Sequence, residues 1–211
     1  MEPLDLLAPS PVLLRTERLC LTLPSVATAP PLVAFLLRNR ERFRPTDGAQ
    51  PEGSLTELWW RERLVELRAE YLAGRSTRLF LRRAEEPSGP VLGTASLTEI
   101  VRGPFQAAYL GYRVDGAWEG RGLMFEALQA VLGFAFGTLR LHRVMANHLP
   151  ENLRSARLLR RLGFVVEGYA RDYLFVDGQW RDHVLTALTN PAPSAPDLAQ
   201  GRKARESEST Q

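Results

Sequence analysis

Residues 107–147 constrain the fold more than any other stretch of the chain. An apolar-rich segment at 107–114 runs into Asp115-Gly-Ala-Trp-Glu-Gly-Arg-Gly122. A helical stripe follows across 120–136, with Leu123, Ala127, Leu128, Val131 and Ala135 on one side and Gly137 as its stop. A second strand pattern occupies 141–147. Strand, helix and strand in succession close through a right-handed crossover that lays the two strands parallel. The segments on either side read differently, as consecutive strands joined by short turns, which is the signature of antiparallel pairing. The sheet is therefore mixed and the fold class α+β.

The other elements follow from local signals. A strand at 18–23 ends at Pro24, and Pro30 and Pro31 open a short helix through Leu32, Phe35 and Leu36. Ser54-Leu-Thr-Glu57 is a capping box that starts a helix with the stripe Leu55, Leu58, Trp59, Val65 and Leu72, stopped by Gly74. Strands are expected at 78–82 and 91–97, with a polar turn between them. After 141–147 come a helix over 150–162 and strands at 165–175 and 180–188, the last two joined by a hairpin turn at Asp177-Gly178. Residues 191–211 hold no aromatic residue and one large aliphatic, Leu198, so they are expected to be disordered. Residues 1–12 are expected to be flexible, leaving one domain over 13–190.

Composition removes whole function classes. With 45% hydrophobic and 24% charged residues the chain is an ordinary globular protein, and its apolar runs fall short of a membrane helix. Cys20 is the single cysteine, which excludes an internal disulfide and a cysteine metal cluster. The acidic start lacks the basic stretch of a secretory signal, so a cytoplasmic location is expected. Lys203 is the one lysine among 27 basic residues, a bias read either as genome composition or as guanidinium recognition of anions, and a net charge of +3 by itself gives no case for nucleic-acid binding.

Two segments carry chemistry. The loop Glu119-Gly-Arg-Gly122 stands between a strand and a helix start, where glycines let a ligand approach the backbone and free amides attract phosphate oxygens. A dinucleotide fingerprint is excluded by Phe125, and a P-loop by the lack of Lys-Ser or Lys-Thr after the second glycine. In 150–164, Leu153, Ala156, Leu159 and Leu162 repeat at helical spacing, while Arg154, Arg157 and Arg161 share another stripe that either faces solvent or reaches a phosphate.

Together these segments resemble the GNAT superfamily of acetyl-CoA-dependent N-acetyltransferases, and within it the RimJ/RimL type that acetylates protein N-termini. The resemblance rests on Leu14-Arg-Thr-Glu-Arg-Leu19, Leu110-Gly-Tyr112, Trp118-Glu-Gly-Arg-Gly-Leu-Met124, Pro150-Glu-Asn152, Ser155, Gly163-Phe164, Glu167-Gly168 and Arg171-Asp-Tyr173. It implies a strongly twisted sheet of about seven strands flanked by about four helices, with two central strands splayed around acetyl-CoA. Mapped onto this sequence, backbone groups of Tyr112, Arg113 and Val114 would bond the pantetheine. Amides from Gly120 through Arg121, Gly122, Leu123 and Met124 would hold the diphosphate, and Asn152 would bond the pantetheine arm. No metal is implied, and neither a nucleic-acid nor a membrane partner.

Two positions depart from the family pattern. Ala117 stands where many members carry Gln or Arg, and Leu159 stands where many carry a tyrosine general acid. The resemblance leaves Ser155 to serve the departing thiolate. Carboxylates available as base are Glu99, Glu167, Asp172 and Asp182, with Asp172 preferred because it precedes Tyr173 on the last hairpin. The acceptor implied is the N-terminal α-amine of a ribosomal or other protein. The alternatives are a small amine (a polyamine, amino acid or amine antibiotic) or a non-catalytic CoA-binding role.

Overall fold

A computed structural model describes residues 10–48 and 51–192. Eight strands form one sheet: β1 (Val12–Arg15), β2 (Leu19–Thr22), β3 (Thr77–Arg83), β4 (Gly93–Val101), β5 (Ala107–Val114), β6 (Arg143–His148), β7 (Val165–Val176) and β8 (Gln179–Thr189). Their order across the sheet is β1-β2-β3-β4-β5-β6-β8-β7. Every pairing is antiparallel except β5 with β6, which is parallel as the strand–helix–strand pattern requires.

Five α-helices cover the two faces: α1 (Ala29–Arg38), α2 (Arg40–Phe43), α3 (Glu57–Leu72), α4 (Leu123–Gly133) and α5 (Leu153–Arg161). Alternation along each strand divides its side chains between two cores. Leu79, Leu81, Ala95, Leu97 and Leu110 pack under α4 with Leu123, Ala127, Leu128 and Val131. Phe80, between Leu79 and Leu81 on β3, points the other way and packs with Leu32, Phe35, Leu64 and Leu67 of α1 and α3. The α4 stripe read from the sequence is thus the buried one.

Several expectations differ from the structure. The strand count is eight because β1, only four residues after Pro11, pairs with β2; its brevity hid it. The α3 N-cap is Thr56, which accepts from the Trp59 amide at 3.3 Å, and the Ser54 box does not start the helix. The stripe on α3 is also out of phase: Leu58 is 70% exposed, whereas Leu64 is fully buried. Apolar residues on that helix satisfy two helical stripes, and packing against α1 selects the one through Leu64 and Leu67. In α5, Leu159 is buried as read, but Leu153 in the first turn is exposed. β1 begins at Val12, one residue before the expected domain start, and residues 1–9 and 193–211 of the expected flexible ends lie outside the described residues.

Candidate active site

The parallel pair β5–β6 is short. Ala107, Ala108 and Tyr109 face Arg143, Val144 and Met145, and no pairing continues beyond them. From Leu110 onward β5 pairs only with β4, while β6 from Ala146 onward pairs only with β8. One edge of β5 and one of β6 therefore diverge into a cleft with unpaired backbone along its walls. Tyr112, Arg113 and Val114 lie on that wall. At the end of that wall farthest from the paired residues, Gly93 is opposite Val114 so closely that a Cβ there would sit 2.5 Å from the Arg113 carbonyl oxygen.

The glycine loop closes one end. Asp115 caps the 3-10 turn Gly116–Trp118 through the Ala117 amide and is salt-bridged to Arg38. Burial works against ionising Asp115, but the Arg38 hydrogen bond and the Ala117 amide prevail and hold its carboxyl below the ordinary range. Gly120 (φ +72°) and Gly122 (φ +76°) both adopt left-handed backbone. Gly122 is the N-cap of α4 and offers no side chain to the helix, so the first α4 amides point outward uncapped. The side chains of Leu123 and Met124 are buried in the core, leaving only their backbone at this surface. Arg121 stacks on Trp118 at 4.9 Å, and its carbonyl accepts from Arg18 at 2.9 Å. This cradle (glycine backbone, free amides, an open approach beside Gly120) suits a diphosphate.

Asn152 and Ser155 come together at the start of α5. Asn152 is the N-cap, its Oδ1 accepting from the Ser155 amide at 3.1 Å. The Ser155 hydroxyl lies 2.6 Å from the phenol of Tyr112, across the cleft on β5. Burial pushes the Tyr112 phenol up to about 12, against the weaker opposite pull of Ser155. The Arg154 side chain is solvent-exposed but paired with Glu119, which also pairs with Arg42 across the glycine loop. Arg161 lies over the Phe125 ring at 4.4 Å.

The acidic candidates separate. Glu167 is paired with Arg143. Asp182 accepts from the Tyr169 hydroxyl at 2.6 Å and from the Asp172 amide at 2.9 Å. Glu99 and Asp172 both have left-handed backbone (φ +50° and +48°) at irregularities in β4 and β7. Asp172 is exposed on the β7 bulge, and its neighbour Tyr173 accepts from Asn147 of β6 at 3.1 Å. The nearby Tyr173 hydroxyl, together with burial, raises the Tyr109 phenol to about 12. The Tyr112–Ser155 and Tyr173–Asn147 contacts were not readable from the sequence, although both tyrosines lie in segments that carry the family resemblance.

Two cavities border the helices α1–α3, and one of them lies on the opposite face of β3–β5. One of about 300 Å³ opens among Leu36, Phe43, Asp47, Leu55 and Asp177. The other, of about 250 Å³, is lined by Phe35, Trp60, Arg78, Phe80, Thr94 and Arg113. Among the described residues no helix is long and apolar enough to cross a membrane, and no group of three or more His, Cys, Asp or Glu side chains gathers as a metal site. Cys20 is buried, and burial raises its thiol above the ordinary value.

Comparison with known proteins agrees with this architecture. An Acetyltransferase (GNAT) domain model matches residues 18–165. The ribosomal protein uS5-alanine N-acetyltransferase of Escherichia coli is 42% identical over 180 residues, covering 85% of this chain and 92% of that one. The crystal structure of the ribosomal-protein-S5-alanine acetyltransferase from Vibrio fischeri superposes with a TM-score of 0.81 at 30% identity, over 86% of this chain and 98% of that one. Mycobacterium smegmatis RimJ, solved with CoA-disulfide, superposes with a TM-score of 0.75 at 26% identity, over 89% of each chain. A splayed parallel pair, an uncapped glycine loop and these matches converge: the chain belongs to the GNAT family of acetyl-CoA-dependent N-acetyltransferases.

Proposed function

We propose that this enzyme acetylates the N-terminal α-amine of a ribosomal protein in the cytoplasm, with alanine as the first residue of the acceptor. The observation that carries this reading is the 42% identity to a uS5-alanine N-acetyltransferase across 92% of that relative. Acetyl-CoA supplies an activated acetyl group as a thioester. The residues of this chain hold it and manage two protons.

In this reading the unpaired edge of β5 at Tyr112, Arg113 and Val114 bonds the pantetheine, and Asn152 bonds it from α5. The backbone from Gly120 through Arg121, Gly122, Leu123 and Met124 seats the diphosphate, where the positive end of α4 favours negative charge. Tyr112 stays protonated because its phenol is pushed up to about 12, so it donates to the Ser155 oxygen and leaves the Ser155 proton free to point into the cleft. Ser155 then donates to the departing sulfur, the role a tyrosine at the Leu159 position would otherwise fill. Asp172 draws the surplus proton from the amine through water, its backbone fixed by Asp182. The demand on that base is modest: an α-amine has a pKa of about 7.7–8.0 and is roughly one-third neutral at pH 7.5, whereas lysine at about 10.4 is almost wholly charged.

CoA thiol release tests the acceptor class. An alanine-led peptide is expected to be consumed, while the same peptide with a formylated N-terminus and an intact lysine, and spermidine, are not. Turnover of spermidine or the blocked peptide at comparable kcat/KM would overturn the proposal.

A further inference from the structure

Arg78 is the second residue of β3, in register with Ser96 of β4, which is in turn opposite Gly111 of β5. It lines the 250 Å³ cavity together with Arg113. The two cations are treated differently by their surroundings. Arg113 is salt-bridged to Asp47 at 2.9 Å and lies over the Phe43 ring. Arg78 has no carboxylate within salt-bridge distance among the described residues, and its buried Nε has no hydrogen-bond partner. Its guanidinium is instead pushed down to about 10, first by burial and then by the charges of Arg113 and Arg63, with Glu70 a lesser opposing influence. A half-buried cation facing another cation, with aromatic walls and no anion of its own, is costly in the free protein. Such an arrangement is met at sites that a ligand completes.

We propose that this cavity is a subsite for an acidic side chain of the acceptor polypeptide, read by the Arg78 guanidinium. The inference rests on the reading that the acceptor is a polypeptide N-terminus. Its geometry follows from the sheet. Asn152, Ser155 and the glycine loop gather on the α4–α5 side of β5, so the amine approaches from the face under α1 and α3. Arg78 lies two strands from Gly111 on the cleft-forming strand β5, about 10 Å at ordinary strand spacing. An extended peptide advances about 3.3 Å per residue, which places the acidic residue at about the second to fourth position after the acetylated amine. The cavity is smaller than the roughly 300–1,000 Å³ of small-molecule pockets and suits one side chain. One free planar fork matches a carboxylate in two-pronged geometry.

The test compares alanine-led peptides carrying Glu at position 2, 3 or 4 with twins carrying Gln, and with a phosphoserine version. On the wild-type enzyme one Glu peptide is expected to exceed its Gln twin by about tenfold or more in kcat/KM. In Arg78→Gln that ratio falls to about one, the Gln peptide keeps its wild-type rate within about twofold, and acetyl-CoA affinity is unchanged. The wild-type comparison needs no variant, so a poorly folding Arg78→Gln leaves the proposal testable, with Arg78→Lys as the milder replacement. Equal rates on Glu and Gln peptides, a preference that survives Arg78→Gln, or a stronger preference for phosphoserine overturns the subsite while leaving N-terminal acetylation intact. No acetylation of any peptide by the wild-type enzyme overturns both.

Discussion

Replacing Ser155 by alanine removes one hydroxyl from a pair that lies 2.6 Å apart across the cleft. Two costs follow, and they fall on different observables. The half-buried Tyr112 hydroxyl loses its partner, which costs about 1–3 kcal/mol of stability if no water replaces it. The departing sulfur loses a hydrogen bond that forms as charge develops, and bonds to charged groups contribute about 1.5–3 kcal/mol. At about 1.4 kcal/mol per tenfold, the second loss corresponds to a fall in kcat of about 10- to 150-fold. Acetyl-CoA affinity should hardly change, because in the proposed mechanism the bond matters in the transition state and not in the bound complex. Thiol release gives kcat, calorimetry gives the acetyl-CoA Kd, and thermal unfolding gives the stability. Tyr112→Phe should lower kcat less than Ser155→Ala, since it leaves the donor and removes only its orientation. An alanine variant with undiminished turnover, or one whose Kd rises in step with its kcat loss, would refute the assignment of Ser155.

Asp115→Asn tests the electrostatics beneath the glycine loop. The wild-type carboxyl is held below its ordinary value of 3.8, so it contributes stability above pH ~4 that is lost as pH falls through the lower folded value. Urea unfolding at pH 7 and pH 3 should show the asparagine variant less stable at pH 7 and less sensitive to acid; an equal pH dependence in both proteins would contradict the Arg38 pairing. Gly93→Ala forces a Cβ to 2.5 Å from the Arg113 carbonyl, so the β4–β5 ladder must shift, and destabilisation of about 1–3 kcal/mol is expected by denaturant titration. Gly122→Val places a β-branched residue at φ +76° where a cosubstrate must approach, and should raise the acetyl-CoA Kd by about tenfold or more in a variant that still melts cooperatively.

What the sequence disclosed and what it withheld divide along a physical line. The mixed sheet, the parallel β5–β6 pair and the α4 stripe depend on periodicity and chain order, both local, and they were legible. So was the last hairpin, where Asp177 and Gly178 both take positive φ as its two-residue turn demands. β1 escaped because four residues carry too little alternation to separate from a loop. The α3 phase escaped because two stripes were available and only tertiary packing chose between them. The site contacts were invisible for a different reason: Tyr112 and Ser155 are 43 residues apart, and nothing local reports that a strand and a helix cap will meet. Arg78 was one of many arginines until the cavity it lines together with Arg113 set it apart.

The central claim is that the cleft between β5 and β6 accepts the pantetheine with its diphosphate on the α4 amides. A crystal structure of the enzyme with acetyl-CoA tests it most directly. The thioester should lie between residues 110–112 of β5 and Asn147 or Ser155 opposite, with the diphosphate against the backbone of residues 120–125. Acetyl-CoA bound elsewhere on the surface, or β5 and β6 paired beyond Tyr109 and Met145 so that no cleft remains, would contradict it.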